Sequence, residues 1–278
     1  MCRYNAFSLI TLNQGKSMTL ADIDAVIMDM DGVLWRGDKP LPGLIPFFDR
    51  LRARDIPFAL ATNNSSKSQA DYVTKLAGMG VLDVPAAAIV TSATATATYM
   101  QQHYPAGTRV YIIGGDGLKQ ILTAAGFVRA AYDVQVVVAG IDFELSYAQL
   151  RQATLLIRSG ADFIGTNPDR TFPTPEGEVP GAGSILAALS AATDRLPVVI
   201  GKPNRTMFEA ALALLGTAAD RTLMIGDRLE TDILGARNAG LKTALVLTGI
   251  ATREQVANSD IKPDGIFAGL PELMAAWD

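Results

Sequence analysis

The sequence predicts an α/β fold: a parallel-stranded sheet flanked by helices, with a second α/β unit inserted into it. Short β-branched runs alternate with helical patterns along almost the whole chain, as parallel strands joined by helical crossovers require. The polar motifs that end strands fall into two groups, residues 25–64 and 197–232, and the chain between them has a βα pattern of its own. Breaker-rich stretches, YPAG at 104–107 and TDRLP at 193–197, mark where the chain would leave a core sheet and return. The expected division is a core of residues 18–104 and 197–278, an inserted domain of residues 105–196, and a loose lead over residues 1–17.

Taken in order, strands are predicted at 25–28, 57–61, 88–90, 109–113, 134–139, 162–165, 197–200, 222–225 and 243–247. Each is a short apolar run, rich in residues that fit a pleated sheet. Helices fill most of the gaps. DYVTKLAGMG (71–80) closes on glycine, and NRTMFEAALALLG (204–216) has Asn204 placed as an N-cap and Gly216 as a stop. IIGGDGLKQIL (112–122) lacks GxGxxG spacing and reads as a strand-to-helix turn.

Composition excludes several kinds of chemistry. With 24 Lys+Arg against 28 Asp+Glu the net charge is −4, and no basic run tracks a nucleic-acid backbone. No apolar stretch approaches the roughly 18 residues of a membrane span, and the opening residues lack the pattern of a secretion signal. A cytoplasmic protein without nucleic-acid or membrane partners is expected. A single cysteine, Cys2, rules out an internal disulfide and leaves little for a zinc site. The single histidine, His103, falls at an expected helix end without a nucleophile motif nearby and reads as a surface or capping residue. Carboxylates are then the available reactive groups.

They collect at strand ends. In AVIMDMDGVLWRG an apolar strand runs into Asp29 and Asp31, which i, i+2 alternation would point into one space. At about 4 Å two such charges repel by roughly 4 kcal/mol at an effective dielectric near 20, so compensating positive charge is needed. PFALATNNSSKS ends a second strand in Thr62, Asn63 and Asn64 before a helix, an arrangement suited to an anion. LPVVIGKPNR places Lys202 directly after a third strand, and TLMIGDRLETD places Asp227 and Asp232 after a fourth. Turn formation, helix capping and a solvated lysine would each explain one cluster. Their coincidence at strand C-termini, where open α/β sheets bind ligands, favours one site. Four acids suit a hard cation such as Mg²⁺, and Lys202 with the Thr62 region suits a phosphate. Asp29 is the candidate nucleophile toward phosphorus, and Asp31 the candidate acid/base.

DMDGVLWRG, TNNSSKS, GKP and GDRLETD, in this order and spacing, resemble the four motifs of the haloacid dehalogenase (HAD) superfamily of phosphatases. PGAGSILAAL, TNPD and GIDFELSY are similar to the branch containing NagD-type para-nitrophenylphosphatases, pyridoxal phosphatase and phosphoglycolate phosphatase. The resemblance spans about residues 22–270. It implies a Rossmann-like core with a cap between the second and third motifs, and an aspartyl-phosphate on Asp29 with Asp31 as acid/base. It also implies a metal held by the Asp29 side chain, the Asp31 carbonyl and Asp227 with Asp232 in support, and phosphate held by Thr62, Asn63 and Lys202. The cap loop TNPDRTFPTPEGEVPG would touch the leaving group. Its Phe172 falls near where pyridoxal phosphatase places a contacting histidine, which weakens a pyridoxal phosphate assignment.

The expected function is Mg²⁺-dependent hydrolysis of a small phosphorylated metabolite. A phosphotransferase, or a regulator that binds a phosphorylated metabolite without turnover, are the alternatives. Oligomeric state does not follow from these residues, and a homodimer stays open.

Overall fold

The computed structural model describes residues 20–174 and 176–277. The expected loose lead over residues 1–17, with Cys2, lies outside the described residues.

Six parallel strands form the larger sheet, in the order Gly265–Phe267, Lys242–Val246, Thr222–Gly226, Ala25–Met28, Phe58–Thr62, Ile89–Thr91. Ala25–Met28 is central and wholly buried, with Ile27 in register with Met224 on one side and Ala59 on the other. Its side chains alternate between two apolar layers. Val26 and Met28 meet the helices Leu44–Ala53, Gln69–Gly78 and Leu270–Ala276, while Ile27 faces Ser92–His103, Arg205–Leu215 and Leu234–Asn238. Covered on both faces, the strand must be apolar at every position, which is why it reads as a continuous hydrophobic run.

A second parallel sheet has the order Val198–Val199, Asp162–Gly165, Val136–Ala139, Arg109–Ile113, Val128–Arg129. Helices Tyr147–Arg158 and Ala182–Thr193 cover one face. On the other, Val110, Val136, Val138 and Ile164 join Leu118 and Leu122 of helix Asp116–Ala124 in the apolar cluster that contains Ile27 and Met224. One hydrophobic cluster therefore runs through both sheets.

The strand expected at 197–200 is shorter and belongs elsewhere. Val198–Val199 pairs with Ile164 and Gly165 in the second sheet, so the chain returns to the larger sheet only beyond it, through Gly201, whose N–H donates to the Thr166 carbonyl at 2.8 Å. Hydropathy shows that LPVVI is buried, not which sheet buries it. The strand Gly265–Phe267, the hairpin pairing Trp35–Arg36 with Lys39–Pro40, and the hairpin pairing Thr171–Thr174 with Gly177–Pro180 have no sequence-based counterpart, being too short to show a period.

The helix expected from residue 71 begins at Gln69, capped by Ser68 in a reciprocal box with Asp71. Asn204 and Gly216 flank helix Arg205–Leu215, but the Asn204 amide donates to the Gly201 carbonyl instead of capping. His103 ends its helix with Nδ1 2.7 Å from the Tyr99 carbonyl oxygen and its ring stacked on Tyr99.

Candidate active site

Two adjacent strands of the larger sheet, Ala25–Met28 and Thr222–Gly226, and the returning segment bring Asp29, Asp227, Asp232 and Lys202 together. Asp29 follows Met28 directly, its N–H donating to the Ile225 carbonyl of the neighbouring strand at 2.9 Å. The Lys202 ammonium donates to Asp29 Oδ1 at 2.6 Å, Asp232 Oδ1 at 2.7 Å and the Ala61 carbonyl at 3.1 Å. Its three donors are thereby engaged, at 3% exposure. The ordinary snorkelling reading of a lysine at a strand end does not apply to it. Asp232 stands on the π-helical turn Leu229–Ile233, where its Oδ2 accepts the Arg228 N–H at 3.1 Å. Asp227 Oδ2 accepts the Ile250 N–H at 2.7 Å. Its carboxylate lies in a cradle of two glycines, Gly32 and Gly249, where a Cβ at either would overlap it.

Carboxylate oxygens of Asp29, Asp227 and Asp232 lie within 4.8 Å of one another. Burial is the main cause that pushes the Asp29 carboxyl well above its usual range, reinforced by Asp232 and Asp227 and opposed by Lys202. Asp227 is pushed up to about 6 by burial and by Asp232. Burial opposes the charge on Lys202, but Asp232 and Asp29 outweigh it, so the ammonium is shifted upward and keeps its proton. With all three carboxylates ionised against one ammonium, the buried space would carry two negative charges in excess. An all-oxygen donor set with that excess fits a hard divalent cation.

Asp31 stands apart from this triad. The strand stops at Met28, and residues 30–35 turn back so that the Gly32 N–H donates to the Trp35 carbonyl at 2.7 Å and the Leu34 N–H to the Met30 carbonyl at 2.8 Å. Strand alternation therefore does not set the two acids' directions, contrary to the expectation from sequence. Asp29 turns to Lys202, and the exposed Asp31 is held by the Trp35 indole, whose Nε1 donates to Oδ1 at 2.8 Å.

Thr62 ends its strand and Asn63 and Asn64 lie in the loop that follows, not at a helix N-terminus. Thr62 Oγ1 accepts the Asn64 N–H at 3.1 Å, and Asn64 Oδ1 accepts the Ser66 N–H and hydroxyl at 2.8 and 2.7 Å. The Asn63 side chain grips the lysine backbone, accepting the Lys202 N–H at 2.8 Å and donating to its carbonyl at 3.0 Å. That Nδ2 also lies 3.2 Å from Asp169 Oδ1, while Asn167 Nδ2 donates to the Asn63 carbonyl at 2.8 Å. TNPD thus reaches across to the core loop. The Asp169 carboxyl is pushed upward by burial there, with Asn63 opposing. Phe172 lies opposite Val179 in its hairpin and packs edge-on against Phe143, ring centres 5.7 Å apart.

Trp35 and Gly249 have no role of their own in the sequence reading, and Asn167 and Asp169 enter it only as letters of TNPD, without the Asn63 contacts the structure gives them. Trp35 was the most findable, since an indole is a donor with no acceptor role and sits four residues beyond Asp31. Gly249 carries no signal until the carboxylate it admits is seen.

A family model described as haloacid dehalogenase-like hydrolase matches residues 26–128, and a HAD-hydrolase-like model matches residues 199–273. An acid sugar phosphatase of Staphylococcus aureus is 39% identical over 252 residues, 90% of this chain and 96% of the relative. The crystal structure of a 4-nitrophenylphosphatase from Thermotoga maritima superposes with a TM-score of 0.89 at 40% identity, covering 94% of this chain and all of that one. NagD from Escherichia coli K-12 gives 0.85 at 31% identity, covering 90% and 98%. With likeness of this extent, the chain belongs to the HAD-like hydrolases, in their NagD-like branch.

Proposed function

We propose that this protein hydrolyses small phosphate monoesters through an aspartyl-phosphate on Asp29. The observation that carries the reading is the buried Lys202 bridging Asp29 and Asp232 beside Asp227, with a net negative excess that a divalent ion would balance. Relatives named acid sugar phosphatase and 4-nitrophenylphosphatase support the substrate class.

Asp29, Asp227 and Asp232 would hold Mg²⁺, with the Asp31 carbonyl as a further oxygen. When bound, the ion supplies charge to neutralise the phosphoryl oxygens and the triad of acids. Lys202 keeps one Asp29 oxygen fixed, leaving the other to attack phosphorus in line. As the Asp29–phosphorus bond forms and the ester bond breaks, Asp31 gives its proton to the leaving oxygen. It then takes a proton from the water that cleaves the acyl phosphate. Asn63 orients Lys202 through its main chain, so any phosphate contact from Asn63 falls to its backbone. Thr62 and Asn64 shape the loop that faces the phosphate, and the hairpin carrying Phe172 lies on the leaving-group side.

Turnover of 4-nitrophenyl phosphate should appear with Mg²⁺, disappear on chelation, and fall by at least about a thousandfold in Asp29→Asn. Full activity in that variant would overturn the mechanism.

A further inference from the structure

We infer that Trp35 is a positioning residue for proton transfer: its indole dictates which oxygen of Asp31 carries the proton to the leaving group. The inference rests on the reading of Asp31 as the acid/base.

An indole N–H can only donate. With Nε1 2.8 Å from Asp31 Oδ1, that oxygen is kept as an acceptor, and the transferable proton is directed to Oδ2. The same bond restricts rotation of an otherwise exposed carboxyl. The indole itself is immobilised. Trp35 is fully buried, its ring stacks on Tyr72 with centroids 6.4 Å apart and planes 19° from parallel, and its own carbonyl accepts the Gly32 N–H. Lys75 Nζ stands 4.7 Å from the ring centre, fixed by a 2.7 Å bond to the Gly37 carbonyl and by Asp38 at 3.5 Å. A cation over the ring draws electron density from it and makes the N–H a stronger donor. Tyr72 and Lys75 come from one helix, three residues apart, so Gln69–Gly78 works as a rigid backing for the residue that orients Asp31. A buried indole N–H needs some acceptor, and a neighbouring backbone carbonyl would serve. Aiming its single polar atom at an exposed carboxylate is what the packing does not require.

The reaction offers a readout specific to this role. A leaving phenolate of low basicity departs without much help, whereas an alkoxide must receive the proton from Asp31 as its bond to phosphorus breaks. In Trp35→Phe, kcat/KM for an alkyl phosphate should fall by about tenfold or more, while that for 4-nitrophenyl phosphate changes by less than about threefold. Asp31→Asn should show the same dependence on leaving group, and adding Trp35→Phe to it should cause no further loss. A benzothiophene side chain placed at Trp35, isosteric but lacking the N–H, repeats the measurement without a packing change. Equal losses on both substrates, or additive losses in the double variant, would overturn the inference. Insensitivity of Asp31→Asn to the leaving group would instead refute the acid/base reading on which it rests.

Discussion

Asp227 is the residue whose ionisation most directly links folding to the proposed ion. Its carboxyl titrates near 6 in the fold against 3.8 for a free side chain, because it is buried beside Asp232. A folded value above the unfolded one gives a contribution fully present below pH about 4 and lost as pH rises through about 6. Ionising it in the metal-free fold therefore costs on the order of 3 kcal/mol by pH 8. Lys202 does not titrate in that window, being shifted further up from an already high value. Asp227→Asn should accordingly stabilise the chelated protein at pH 8, by up to about that amount, and change it little at pH 4. The same variant should lose the rise in melting temperature that Mg²⁺ gives the parent protein. A denaturant titration at both pH values, with and without Mg²⁺, checks this. Destabilisation of the metal-free variant at pH 8 would show that Asp227 is compensated within the fold.

Between single residues and the whole fold, the loop after Phe58–Thr62 shows how one element assembles the site. Asn63 joins three segments: its side chain bonds the Lys202 backbone and Asp169, and its carbonyl accepts from Asn167 and from the Ser92 hydroxyl at 2.6 Å. Asn63→Ala should lower stability by about 2 kcal/mol and kcat by about tenfold or more, through a displaced lysine, with little change in KM. A loss confined to KM would mean that Asn63 binds substrate and does not place Lys202. Asp29, Asp227 and Lys202 were legible as strand-end residues because each follows an apolar run long enough to recognise. The role of the Asn63 side chain was not, because its partners, Asp169 and Lys202, lie more than a hundred residues away and no local pattern encodes them. Strand alternation does not reach Asp31, because the strand ends at Met28, the end its predicted bounds already give, and the turn that follows sets the direction of the second acid. The sheet that takes Val198–Val199 was not legible for a related reason: a short buried strand fits either sheet, and only pairing with Ile164 and Gly165 decides.

At the scale of the molecule, the second sheet is joined to the first by more than its two connections. Ile27, Ala59 and Met224 of the larger sheet share one apolar cluster with Val110, Val136 and Ile164 of the smaller, through helices Ser92–His103 and Asp116–Ala124. Met100 sits fully buried on the first of these helices. Separating the sheets would expose this shared layer, so neither should persist alone once the other is lost. Both tryptophans, Trp35 and Trp277, belong to the cluster on the far face of the larger sheet, and their fluorescence reports that sheet alone, whereas far-ultraviolet circular dichroism reports both. The two signals should give coincident urea transitions. Met100→Ala, which opens a cavity in the shared layer, should move both midpoints down together by an amount equivalent to about 3 kcal/mol. A dichroism transition that splits in two, or one that shifts while the fluorescence transition stays put, would mean that the sheets are independent folding units. Coincident shifts would mean that Asn167 and Asp169 are held against Asn63 by the fold itself, which fixes the second sheet's side of the site before any substrate arrives.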